Sequence, residues 1–194
     1  HILSEAVRRA DPTLSVRPFR NFAHNRAAGF DIVDGDSYRL FGVDLNISQN
    51  YNAQEYTICH EGKRIAFHGV SLSKMLADKI CAMSSQKIFR RAKDLIDVYI
   101  LSYAAQFNFL DIIQIQRQYH QELGDFKCFR ERKSDLQHAY EKLRGVKNKP
   151  DFMVLYDRLQ TFLAPFLEQK LTSLEWTGER WESPQNIQEN TMQR

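Results

Sequence analysis

The sequence has little cysteine. Its 194 residues hold three, Cys59, Cys81 and Cys128, widely spaced and without a CxxC pair. That excludes a disulfide framework and a cysteine zinc site, and makes reduced thiols in a cytoplasmic protein the plain expectation. Long apolar runs are also missing. The longest candidate, Leu95 to Phe107, is broken by Asp97, Ser102 and Gln106. It falls short of the roughly 20 residues that a membrane helix needs, so no membrane partner is expected. The start, His1-Ile2-Leu3-Ser4-Glu5, is amphipathic rather than a signal peptide. The first methionine is Met75, and the expectation is a fragment or a protein whose first segment precedes His1. Internal repeats, low-complexity stretches, GxGxxG, a Walker loop, HExxH and GxSxG are all absent, and nothing suggests a Ser-His-Asp arrangement.

What remains is ordinary globular composition. Hydrophobic residues are 43% and charged residues 26%, which excludes a wholly disordered chain. The length suits one domain, or a small domain with a helical extension. Net charge is +3 with pI near 8.7, a mild excess that permits a nucleic-acid or nucleotide partner without demanding one.

Hydrophobic spacing divides the chain. Ile2 to Arg9 carries Ile2, Leu3, Ala6 and Val7 on one helical face, and Asp11-Pro12 stops it. Ser15 to Phe22 reads as extended or irregular and Gly29 to Gly35 as turn-prone. Ser37 to Ser48 reads as a strand, with Leu40, Val43, Leu45 and Ile47 apolar and Asp44 among them. Tyr56 to Cys59 and Arg64 to Val70 flank Glu61-Gly62-Lys63, a hairpin turn. From Ser71 the period becomes helical: Leu72, Met75, Leu76, Lys79, Ile80 and Met83 form one stripe, with Ser71 or Ser73 as cap. Arg90 to Tyr103, Asp111 to Leu123, Arg132 to Leu143 and Asp151 to Leu171 complete five helices, the last following Pro150. Beyond Thr172 apolar content drops apart from Trp176 and Trp181, and residues 183–194 read as a disordered tail.

Charge is uneven. Phe126 to Lys149 has eight Lys or Arg against three acids, and Lys87 to Lys93 has four basic residues and no acid. Two readings stay open: a solvated helix face, or a nucleic-acid footprint using Lys127, Arg130, Arg132, Lys133, Lys142 and Arg144.

Three features carry candidate chemistry. Asp44 lies inside a strand and points opposite to Val43 and Leu45. It faces solvent, or it must pair, hold a metal or line a cleft, because a lone buried carboxylate is costly. Lys79 shares a stripe with Leu72, Met75 and Leu76, so it points inward or at a boundary, where a lysine needs a partner. Asp94 and Asp97 are neighbours on one helix face. Asp94 is either an exposed partner of Arg90 or part of a site, and Asp97 either faces water or interrupts an apolar surface. His60 and His68 sit on adjacent strands where they could meet across the hairpin, as surface residues or as a metal pair. His120 and His138 lack ligand-like spacing.

In order, SYRLFGVDLNIS, the hairpin, SLSKMLADKICAM and RRAKDLIDVYIL resemble the nucleotidyltransferase AbiEii/AbiGii toxin family. These are DNA-polymerase-β-like enzymes of type IV toxin–antitoxin and abortive phage systems. The specific features are the strand ending hydrophobic-Asp-hydrophobic, then S-L-x-x-x-L-A-x-K-I, then R-x-x-D-L-x-D-V-Y-x-L. The likeness is clearest from Ser37 to Leu101. It implies Mg²⁺-dependent transfer of a nucleotidyl group from an NTP to a hydroxyl acceptor, with RNA as the expected acceptor and a cognate antitoxin that need not touch the protein. Two cations would neutralise phosphate oxygens and activate the attacking hydroxyl. Asp44 matches the third, metal-associated acid, Lys79 the lysine contacting phosphate, Asp94 an acid of the active centre and Asp97 a structural one. The family's Gly-Ser turn and DxD are not in this sequence. Asp34-Gly35-Asp36 is spelled DxD but reads as a loop, and the missing parts are expected before His1.

The expectation is therefore an α+β protein: a partial mixed β-sheet of nucleotidyltransferase type over residues 1–70, an α-helical domain over 71–182, and the tail. A competing expectation is a catalytically silent module that binds nucleic acid or an acidic protein through its basic stretch.

Overall fold

The structure, a computed structural model, describes residues 1–21, 27–35, 38–46, 53–168 and 173–184. Phe22, Asp36, Ile47 and most of the expected tail lie outside the described residues. The chain forms two compact units, His1–Asn52 and Ala53–Arg194. Together they are α+β, and every strand pairing described is antiparallel.

In the first unit, helix α1 (Ile2–Ala10) ends where Asp11 turns extended. Strands β1 (Ser15–Asn21), β2 (Ala27–Val33) and β3 (Arg39–Asn46) form a three-stranded meander with β2 in the centre. The turn-prone reading of Gly29 to Gly35 is corrected here, because Ala27–Val33 is the central strand and carries the buried Ile32 and Val33. The first glycine misled. A Cβ on Gly29 would stand 2.7 Å from the Phe19 ring, so this position is bare because a neighbour lies across it.

The second unit opens with hairpin β4 (Ala53–His60) and β5 (Lys63–Val70). Glu61 and Gly62 both take left-handed φ, 48° and 76°, as a two-residue hairpin turn requires. The expected mixed sheet through Val70 is thereby corrected to separate antiparallel sheets. The links between these strands are short, whereas a parallel pair needs a crossover of about a dozen residues. The histidine pairing is corrected as well. His60 stands opposite Lys63, and His68 opposite Glu55, so the two rings occupy opposite faces.

Among the described residues six helices follow rather than five: α2 (Leu72–Met83), α3 (Lys93–Ala104), α4 (Phe109–Gln118), α5 (Lys127–Glu131), α6 (Lys133–Glu141) and α7 (Phe152–Glu168). A 3₁₀ turn, Gln86–Phe89, joins α2 to α3. Ser71 caps α2 by accepting the Lys74 amide at 3.3 Å. Asp151, not Pro150, opens α7 by accepting the Met153 amide at 2.7 Å. Leu76, Ile80, Leu95, Val98, Ile112, Leu155, Leu159 and Phe162 are fully buried between these helices.

Both tryptophans close this core. β6 (Phe107–Asn108), β7 (Glu175–Trp176) and β8 (Trp181–Glu182) form a small sheet, and Phe162 meets the Trp176 ring edge-on at 4.8 Å. Arg158 of α7 ties this corner together. Its guanidinium donates to Ser102 O at 2.7 Å and to Gly178 O, and lies 3.9 Å from the Tyr103 ring centroid. It thus meets a carbonyl at the α3 C-terminus, where a cation is favoured.

Tyr140 of α6 donates to Pro150 O at 2.6 Å. Burial, then the nearby Asp151 and Tyr99, push its phenol up to about 12. The unfolded phenol ionises near 10. Between about pH 10 and 12 the folded chain keeps a proton that the unfolded chain releases. This contribution is intact below pH 10 and is lost as pH rises through that window. Tyr140→Phe is expected to flatten the loss of stability across it in denaturant titrations followed by circular dichroism. A slope equal to that of the wild type contradicts the assignment.

Candidate functional site

The charged centre of the second unit sits where α2 meets α3. Residues 72, 76, 79, 80 and 83 fall on one side of α2 by helical spacing. Lys79 is the only cation among them, and its side chain is 14% exposed. The first two turns of α3 bring two acids to it. Lys79 Nζ donates to Asp97 Oδ2 at 2.5 Å and to Asp94 Oδ1 at 3.2 Å. Asp94 is buried, and its Oδ2 lies 2.6 Å from Arg91 Nε. That contact is an ion pair, and Asp94 Oδ2 receives no hydrogen bond among the described residues. The partner of Asp94 on its own helix side is thus Arg91, not Arg90.

A second charged group lies on the same helix. Lys74 is buried, pairs with Asp78 at 2.5 Å and lies 4.5 Å from the Tyr119 ring centroid. Gln121 also donates to Asp78. Met75, placed on the inward stripe by spacing, is exposed instead. The stripe turns slightly about the helix, because the Tyr119 face and Asp78 receive the Lys74 ammonium. The i,i+4 pair Lys74/Asp78 was the available signal for it.

Asp44 belongs to the first unit. It stands on β3 with its side chain 59% exposed, and accepts from Arg20 Nη2 at 3.1 and 3.3 Å. Arg20 and Asp44 both register with Gly29 of β2, so they meet above the one position that carries no side chain. The buried acid of this sheet is Asp31, held by Arg39 Nε at 2.7 Å and Arg17 Nη2 at 3.4 Å. Sequence reading passed over it because FDIV lies in the segment read as a turn. Among the described residues no group of three or more His, Cys, Asp or Glu is placed to hold a metal ion. Asp44 supplies one carboxylate, already engaged by Arg20, and Mg²⁺ wants more oxygen ligands than that. The described donor set does not by itself fit Mg²⁺.

The basic stretch is largely engaged in local structure. Arg132 pairs with Asp135 at 2.8 Å and lies 4.5 Å from the Phe89 ring centroid. Lys133 Nζ stands 4.5 Å from the Tyr156 ring centroid, and Arg130 donates to Asp125 O at 3.1 Å. Of the four residues favoured for nucleic acid, only Lys127 keeps an exposed side chain with no partner among the described residues. Lys142, Arg144 and Lys147, after α6, are exposed and likewise without one.

No protein-family model, curated protein or solved structure matches the chain. No helix among the described residues is long and apolar enough to cross a membrane.

The Lys79 cluster makes a direct prediction. Removing the ammonium leaves the buried Asp94 facing Asp97 with only Arg91 nearby, and breaking a buried pair from one side costs about 3–5 kcal/mol. Lys79→Met is expected to lower stability by roughly 3 kcal/mol in urea unfolding. Adding Asp94→Asn and Asp97→Asn should restore much of it. A loss under about 0.5 kcal/mol, the scale of an exposed pair, rules out the buried geometry.

Proposed function

We propose that the chain is a nucleotidyltransferase-like protein of the toxin kind, which passes a nucleotidyl group from an NTP to a hydroxyl acceptor, with RNA as acceptor. The observation that supports this reading is the convergence of two sequence motifs on one group of atoms. S-L-x-x-x-L-A-x-K-I contributes Lys79, and R-x-x-D-L-x-D-V-Y-x-L contributes Asp94 and Asp97. An ammonium has three N–H donors. Two go to the carboxylates, which fix its position, and the third is left for a phosphate oxygen. Asp94 is held in place by Lys79 and Arg91. Asp44 is the remaining acid of the reading, exposed on β3 and oriented by Arg20.

In the reaction, an acceptor hydroxyl attacks the α-phosphorus of the NTP and gives up its proton to solvent, the new O–P bond forms, and the α–β phosphoanhydride bond breaks as pyrophosphate leaves with the bonding pair. The reading keeps Mg²⁺ as the metal such chemistry uses, a cytoplasmic setting and a cognate antitoxin. No step is assigned to the metal.

The test measures transfer of labelled NMP from each of the four NTPs, with Mg²⁺, onto total RNA. The wild-type chain is expected to label RNA. Asp44→Ala, an exposed change that leaves folding intact, should lower labelling by at least about a hundredfold, the scale of losing an electrostatic group in a transition state. Equal labelling by both removes Asp44 from the mechanism, and none by the wild type removes the transferase reading.

A second reading rests on a specific observation. Lys79, Arg91, Asp94 and Asp97 compensate one another, while Lys142, Arg144 and Lys147 stand exposed and unpartnered. A module that binds RNA through those three cations would show affinity that falls steeply with salt, and each charge removed would lower the salt slope by about one. A slope unchanged in the triple alanine variant excludes it.

A further inference from the structure

A cleft of about 630 Å³ opens beside Asp78, Cys81 and Ala82 of α2 and Ser85 just past its end. The three α2 positions share one side of the helix by spacing. Lys87 and Arg91 line it from the link between α2 and α3, and His120, Gln121 and Glu122 from the segment after α4. The cleft lies wholly within the second unit. It is large enough for a nucleotide-sized molecule, since small-ligand sites run from about 300 to 1,000 Å³.

Its charges are not equivalent. Asp78 is neutralised by Lys74 at 2.5 Å and receives a hydrogen bond from Gln121. Arg91 approaches Asp94 through Nε at 2.6 Å, and neither of its terminal nitrogens makes a hydrogen bond among the described residues. Lys87 is exposed and its ammonium has no partner among the described residues. Glu122 is the one acid in the cleft left uncompensated. The donors therefore cluster on the wall carrying Lys87 and Arg91, four residues apart. A guanidinium fork beside a point-charge ammonium suits the oxygens of a phosphate. Cys81 offers no competing chemistry: burial, then Asp78, raise its thiol above the usual range and keep it protonated.

We propose that this cleft binds the phosphate of a small ligand, either a free polyphosphate or a nucleotide, through Lys87 Nζ and the terminal nitrogens of Arg91. Glu122 faces the same space and discriminates against excess negative charge. Through Arg91 the cleft adjoins Asp94, whose carboxylate meets Nε while the terminal nitrogens are left for the phosphate. The assignment stands apart from the transferase reading: a chain that labels no RNA and still binds pyrophosphate through Lys87 retains it.

The experiment titrates sodium pyrophosphate, and separately ATP, into the full 194-residue chain at low ionic strength without divalent metal, by calorimetry. Saturable one-to-one binding is expected for at least one probe. Equal affinities mean that phosphate alone is recognised, and tighter ATP means that the nucleoside adds contacts. Lys87→Ala should weaken binding about tenfold, the worth of one charge-assisted hydrogen bond. Glu122→Gln should tighten it several-fold. Lys63→Ala, an exposed cation at the β4–β5 tip outside the cleft, should leave it unchanged. Lys87 and Glu122 are exposed, so matching thermal melts establish that both variants fold. Failure of both probes to bind at millimolar concentration overturns the proposal. So does Lys87→Ala binding like the wild type, or a loss with Lys63→Ala equal to that with Lys87→Ala.

Discussion

Two helices of the second unit meet through a cation that neither could bury alone. Lys79 sits inside the α2–α3 contact because Asp94 and Asp97 arrive from the first two turns of α3 to receive it. A lysine at such a place is costly without a partner, and an acid pair one helical turn apart repels itself without a cation. Each side thus makes the other tolerable, and the pairing admits few alternatives in how the helices pack. Hydrophobic contacts alone tolerate sliding. A charge with two fixed acceptors does not, so the register of α3 on α2 is set here while Leu76, Ile80, Leu95 and Val98 supply most of the burial.

Much of the architecture could be read from hydrophobic period. The stripe from Leu72 to Met83, the α7 pattern and the Glu61-Gly62 turn each express a local rule, so α2, α7 and the β4–β5 hairpin were legible in place. The misses have physical reasons. β2 was concealed because Gly29 is a turn former when nothing else is known, whereas here Phe19 lies over it. α5 is five residues long and set by Phe126, Phe129 and Leu136 entering the core. So short a helix has no period to detect. Trp176 pairs with Phe107, about seventy residues away in sequence, and Trp181 pairs in turn with Trp176, so neither short strand has a local signal.

The site was legible to the same depth. A lone lysine on an apolar stripe announced a buried partner, and Asp94 and Asp97 were the acids at helical spacing. Which arginine completed the group was not legible, since Arg90 at i,i+4 and Arg91 at i,i+3 are equally good neighbours by spacing. The burial of Lys74 was hidden because the ring that covers its ammonium, Tyr119, comes from the C-terminal end of α4. The basic stretch illustrates the opposite error: charge density drew attention to Arg132 and Lys133, whose cations rest on aromatic rings and serve packing.

The β4–β5 hairpin has a consequence for how the chain behaves in company. Among the described residues its two strands bond only to each other, so each outer margin presents free amides and carbonyls. Tyr56, Ile58, Ile65 and Phe67 share one face, and the last three are exposed. Such a ribbon invites strand addition from any neighbouring chain. The opposite face carries Glu55, Arg64 and His68, and Lys63 stands at the tip. Those charges act as gatekeepers, holding a sticky element apart from its copies and making colloidal behaviour sensitive to ionic strength.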